Sequence, residues 1–171
     1  MKSTNDNKPR SGGNLPKRKH LRRLETIFEQ WRAPIFFVTV CACRRSPVLC
    51  DPKIHEILVC GWRTTAGIYD WQVGCYMIMP DHVHFFASPA SRKARDLSSF
   101  VKAWKYRTGK EIRQSGLVAF SWQKEFFDHL LRNSESYGDK WLYVRANPVR
   151  AGFAARPEDW PYQGEIHPLQ W

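Results

Sequence analysis

Five cysteines are all that this 171-residue chain carries: Cys41, Cys43, Cys50, Cys60 and Cys75. Their number is odd and no Cys-x-x-Cys pair occurs, which argues against a disulfide-stapled secreted scaffold. Long apolar runs are missing too. The longest, such as Ile35–Val40, fall far short of the about 20 residues that span a bilayer. Residues Met1–Lys19 lack the apolar stretch of a secretory signal, and internal repeats and low-complexity blocks are absent. Acidic side chains are scarce, 16 against 27 lysines and arginines, for a net charge of +11. That surplus points to a polyanionic partner, nucleic acid first and an anionic membrane surface second. Core material is plentiful by contrast. With 43% hydrophobic residues, among them eight tryptophans and ten phenylalanines, the chain suits one globular domain and not two.

The charge is unevenly spread. Residues 1–24 hold eight basic side chains and one acid, with prolines, glycines and asparagines between them, and read as a flexible basic arm. Residues 25–171 form the domain, with a C-terminal tail from about 153. Ile35–Cys43 is β-branched and aromatic, a buried strand. Asp51-Pro52 offers an N-cap and a proline at the first helical position, opening a helix to about Tyr69. Trp71–Met79 and His82–Ala87 read as strands split by Pro80-Asp81. Asp96–Ser115 is an amphipathic helix ended by Gly116, and Val118–Trp122 is a further short strand. A last helix runs from Asn133 or Ser134 to about Asn147, where Pro148 opposes continuation. This order predicts an α+β fold: a ferredoxin-like, RRM-like antiparallel sheet with helices packed on one face.

The sharpest local signal is His82-Val83-His84. Residues i and i+2 of a strand share a face, so both imidazoles can converge on one ion; the bland alternative is two polar residues on a solvated face. On the last helix Tyr143 and Asn147 lie four residues apart on one side, with Asp139 a turn earlier. Tyr137, Trp141 and Val144 form a separate apolar stripe, so Tyr137 is structural and Tyr143 is presented. A phenol and an amide beside a histidine pair suit a nucleophile and a third metal ligand. A rival set for the same histidines is a zinc site with Cys41 and Cys43.

Several segments in order resemble a known family. They are Met79-Pro80-Asp81-His82-Val83-His84-Phe85-Phe86, Ser121–His129, Tyr143–Gly152 and Glu158-Asp159-Trp160-Pro161. The first resembles the HUH motif (histidine, bulky apolar residue, histidine) of single-tyrosine transposases. Together they resemble the tyrosine transposases associated with repetitive extragenic palindromes, relatives of the smallest insertion-sequence transposases. The resemblance implies the HUH endonuclease fold and cleavage and strand transfer of single-stranded DNA at palindromic hairpins, through a covalent 5′-phosphotyrosine. It implies Tyr143 as nucleophile, with His82, His84 and Asn147 holding Mg²⁺ or Mn²⁺. It further implies a monomer or homodimer in the bacterial cytoplasm, at the nucleoid, with no membrane and no nucleotide cofactor. The alternative is a palindrome-binding protein that no longer cuts.

Charge runs locate the expected DNA contacts. Residues 92–113 hold eight basic and two acidic side chains, with Lys102, Lys105, Arg107, Lys110 and Arg113 on the helix itself. Arg18, Lys19, Arg22 and Arg23 of the arm are expected near the hairpin foot. Arg132, Arg145 and Arg150 are expected around the scissile strand.

Overall fold

A computed structural model describes residues 33–117, 119–132 and 134–169. The basic arm, with Arg18, Lys19, Arg22 and Arg23, lies outside the described residues. Five strands form one antiparallel sheet: β1 (Phe36–Cys41), β2 (Trp71–Met79), β3 (His82–Pro89), β4 (Phe127–Leu130) and β5 (Gln163–Glu165), in the order β4-β1-β3-β2-β5. The longer helices are α1 (Pro52–Tyr69), α2 (Leu97–Gln114) and α3 (Ser134–Arg145), followed by the short α4 (Asn147–Arg150). No described helix is long and apolar enough to cross a membrane.

Local chemistry explains where the helices start. Asp51 accepts hydrogen bonds from the backbone N–H groups of Lys53 and Ile54 at 2.8 and 3.1 Å, capping α1 as its sequence predicts. Asp96 caps α2 through the Ser99 N–H at 2.9 Å. The β2–β3 connection is the two-residue turn Pro80-Asp81, with Met79 opposite His82.

The sheet is apolar on both faces, because β1 and β3 alternate large side chains with little polar relief. Val38, Val40, Val83, Phe85 and Ile78 face α1 and α2 in the main core. Trp62 of α1 and Trp104 of α2 stack there with ring centroids 4.9 Å apart and planes 5° from parallel. Ile35, Phe37, Met77, Met79 and Phe86 face the other way and meet Val144, with Tyr137 and Trp141 packed against them. Helices on one face, the expectation from sequence, therefore holds for α1 and α2 only. α3 covers the second face, because its apolar stripe needs the second set of strand side chains.

Other boundaries differ as well. The strand expected over 118–122 reduces, in its described part, to a single bridge between Ala42 and Trp122. The edge strand beside β1 is instead Phe127–Leu130, whose mostly exposed side chains carry no alternation. The last helix stops at Arg145 and resumes at Asn147. Pro148 sits in the first turn of α4, where its missing N–H costs nothing. The tail from 153 supplies β5, which pairs with β2 at Cys75, Tyr76 and Met77.

Gly61 lets α1 and α2 close on each other. A Cβ there would stand 2.5 Å from the Thr108 methyl and 3.3 Å from the Trp104 indole nitrogen. Gly61→Ala gains helix propensity but overpacks this contact. Urea unfolding should show a net loss of about 1–2 kcal/mol with an unchanged m-value.

Candidate active site

Antiparallel partners share a face of the sheet. His82 pairs with Cys41 and Met79, and His84 with Thr39 and Met77, so both imidazoles project from the α3 side. Val83 between them is fully buried toward α1 and α2. The two Nε2 atoms stand 3.1 Å apart. Each Nδ1 is held from behind, that of His82 by Asp81 Oδ1 at 2.6 Å and that of His84 by Thr39 Oγ1 at 2.8 Å. An ionised carboxylate only accepts, so His82 Nδ1–H donates to Asp81. In the tautomer that leaves His84 Nε2 a lone pair, its Nδ1–H donates to Thr39 in the same way.

Asp81 is itself fixed. Arg45 Nε lies 2.6 Å from Asp81 Oδ2, and Arg45 Nη1 donates to Cys41 Sγ at 2.9 Å. The turn that delivers Arg45 is strained: Arg44 and Arg45 both take φ 54°, a left-handed conformation costly for side chains with a Cβ. Phe37 stacks on the His84 ring at 5.2 Å. Burial, then His82, then the Lys140 and Arg45 cations, push the His84 imidazole down to about 3. Its nitrogens are therefore not lost to protonation at neutral pH.

That shift has a consequence for stability. A histidine near 6.5 when unfolded and about 3 when folded takes up protons on unfolding between those values. Its contribution is complete above the unfolded pKa and falls away as pH drops toward the folded one. Denaturant titrations between about pH 4 and 7 should show a stability slope that His84→Gln flattens.

Tyr143 and Asn147 are brought together by Arg150. Its guanidinium carbon lies 4.1 Å from the centre of the Tyr143 ring, and its Nη2 donates to Asn147 Oδ1. Tyr143 is 60% exposed and Tyr137 packs edge-on against Phe86, as the two stripes predict. Lys140 joins this pair to the histidines. Its ammonium lies 4.7 Å from the centre of the Phe37 ring and 5.7 Å from that of Tyr143.

Lys140, Asp81, Thr39 and Arg45 are not among the candidate site residues predicted from sequence. Three signals bear on them: Lys140 lies three residues before Tyr143, Asp81 precedes His82, and Thr39 is the polar residue of an apolar strand. Arg45 carries no such signal.

The basic residues scatter. Lys102, Lys105, Arg107, Lys110 and Arg113 belong to α2, on the sheet face opposite the histidines. Lys105 donates to the Lys124 carbonyl, Arg107 pairs with Glu111 at 3.0 Å, and Arg113 donates to the Phe120 carbonyl. Lys102 and Lys110 are exposed. Arg132 is exposed just beyond β4, Arg145 lies near Cys75 of β2, and Arg150 sits on Tyr143. Among the described residues no three or more histidine, cysteine, aspartate or glutamate side chains are grouped to hold a metal. Cys41 and Cys43 thus do not complete a zinc site with the histidine pair, because Cys41 is buried against Arg45.

The profile of the family described as Transposase IS200 like matches residues 30–137, more than half of the chain. The chain belongs to the IS200-like transposases. The matched stretch contains both histidines; Tyr143 and Asn147 lie beyond it. A Haemophilus influenzae protein with the provisional name REP-associated tyrosine transposase is 23% identical over 158 residues, 80% of this transposase and 86% of the relative. The REP-associated tyrosine transposase of Escherichia coli K12 is 23% identical over 109 residues, 59% of this chain and 62% of its own. The solved structure of a REP-associated tyrosine transposase bound to a REP hairpin shares the fold. Its TM-score is 0.63 at 24% identity, covering 76% of this chain and 75% of that one.

Proposed function

We propose that this transposase cuts and rejoins single-stranded DNA beside a palindromic hairpin, with Tyr143 as nucleophile and a divalent ion on the histidine pair. The observation that carries the reading is the convergence of His82 and His84, each with a side-chain oxygen hydrogen-bonded to Nδ1. Two imidazole nitrogens on one ion at about 2.1 Å each, side by side, sit about 3 Å apart, and the pair stands at 3.1 Å. Acceptors on Nδ1 are the supporting shell that aims such ligands. Asn147 is the third candidate ligand once its oxygen leaves Arg150.

A bound Mg²⁺ or Mn²⁺ would polarise the phosphoryl oxygens. The chain's own residues do the rest. Tyr143 Oη attacks phosphorus, the bond to O3′ breaks, and a 5′-phosphotyrosine and a free 3′-hydroxyl remain. The phenol loses its proton and the leaving O3′ gains one. The phosphodiester energy stays in the link, and a second 3′-hydroxyl can reverse it without a nucleotide cofactor. Lys140 and Arg150 flank the phenol with positive charge and suit the phosphate that it must approach.

The test is a labelled hairpin with single-stranded flanks, incubated with the full chain and Mn²⁺. A covalent protein–DNA species that survives denaturation is the expected result. Retention of hairpin DNA with no covalent species would make the protein a binder that does not cut.

A further inference from the structure

We infer that Lys140 holds a non-bridging oxygen of the phosphate to be cut, between the histidine pair and Tyr143. That role rests on the transposase reading and adds to it the side chain that orients the phosphate. The ammonium of Lys140 lies 4.7 Å from the centre of the Phe37 ring and 5.7 Å from that of Tyr143. Phe37 in turn stacks on His84, with ring centroids 5.2 Å apart. One cation therefore stands between a candidate metal ligand and the candidate nucleophile. A phosphate that meets both comes beside it. Lys140 also precedes Tyr143 by three residues on α3, a spacing that keeps Cβ atoms about 5–6 Å apart. The same helical turn carries the cation and the phenol.

Among the described residues no ion pair ties Lys140 to a carboxylate. Arg150, the other cation at the phenol, is already bonded to Asn147 Oδ1. Ring faces attract the Lys140 ammonium but take few of its three N–H donors. A phosphate oxygen offers a charge-assisted hydrogen bond, the stronger partner. The field of Lys140 already reaches the histidines: after burial and His82, it helps to keep His84 unprotonated. A lysine is a compact charge on a flexible stem, so it can follow an oxygen as phosphorus passes from four neighbours to five. Cationic clamps of this kind act where charge sits on a transferring phosphoryl group. The rival role is a stem that covers Phe37 while its ammonium reaches solvent.

Affinity without cleavage separates the two roles. Hairpins with unpaired flanks carry one methylphosphonate, a neutral phosphate substitute, at each flank linkage in turn. They are titrated with the full chain in chelator. Wild type should bind about 10-fold more weakly when the substitute occupies one particular linkage beside the stem. Lys140→Met, which keeps an unbranched stem, should bind the unmodified hairpin about 10-fold more weakly and lose nothing further at that linkage. Its penalties elsewhere should match those of wild type, and Lys140→Arg should recover most of the affinity. The same linkage should be the one joined to Tyr143 when Mn²⁺ is added. Matching penalties for wild type and Lys140→Met at every linkage overturn the proposal and leave Lys140 as the cover of Phe37. So does a wild type indifferent to every substitute, or an adduct that maps to a different linkage. If no adduct forms but the linkage-specific penalty persists, the grip of Lys140 stands and the cutting alone fails.

Discussion

Tyr143→Phe is expected to abolish the covalent protein–DNA species, by at least about a thousandfold, while hairpin affinity stays within about twofold. The substitution isolates one atom. Tyr143 is 60% exposed, and surface changes of this kind move stability by about 0.5 kcal/mol or less. The ring remains, so the Arg150 guanidinium keeps its seat at 4.1 Å and its bond to Asn147. Only the hydroxyl that would carry the phosphate is gone. Tyr106 is the natural control: at 72% exposed it is the more accessible phenol. It lies on α2, on the far face of the sheet, so Tyr106→Phe should leave the adduct at wild-type level. An adduct undiminished in Tyr143→Phe would remove Tyr143 as nucleophile. If Tyr106→Phe abolished it instead, the catalytic face would be the wrong one.

How far the site could be read from the chain depends on how local each part is. The histidine pair was legible because strand alternation alone puts i and i+2 together, and Asp51-Pro52 because a cap is written in adjacent residues. Thr39 and Asp81 became supports only through the pairing of β1 with β3 and the short turn after Met79, neither of which periodicity supplies. Lys140 required the rotation of α3 on the sheet. Tyr143 and Asn147 define a helix side, but the side chain of α3 that reaches Phe37 is that of Lys140. β4 was illegible for another reason. An exposed edge strand buries little, so its residues carry no hydrophobic period, and Val118–Trp122 looked more like a strand than Phe127–Leu130 did.

Substituting the histidines should separate chemistry from binding. His82→Gln and His84→Gln, singly and together, are each expected to lose Mn²⁺-dependent adduct formation by on the order of a thousandfold or more. Hairpin affinity should fall by only a few-fold, since phosphate contacts from side chains elsewhere supply most of it. Glutamine is the better choice over alanine at His84. Its amide can hydrogen-bond to Thr39 and fill the space against Phe37, so lost activity would not reflect a void in the second core. Asp81→Asn tests the same logic one step out. A neutral acceptor aims His82 less firmly and weakens its pairing with Arg45, and such support residues cost about 10- to 100-fold in metal affinity. Mn²⁺ binding, followed directly by titration, should therefore weaken in Asp81→Asn and vanish in the double glutamine variant. Two nitrogen donors favour Mn²⁺ over the oxygen-seeking Mg²⁺, so Mn²⁺ should support the adduct at the lower concentration. If the double variant still formed it, the pair would be a structural hydrogen bond between strand residues. Equal loss of binding and adduct would assign the histidines to the fold, and the supports on Nδ1 would then be core polar satisfaction instead of ligand aim.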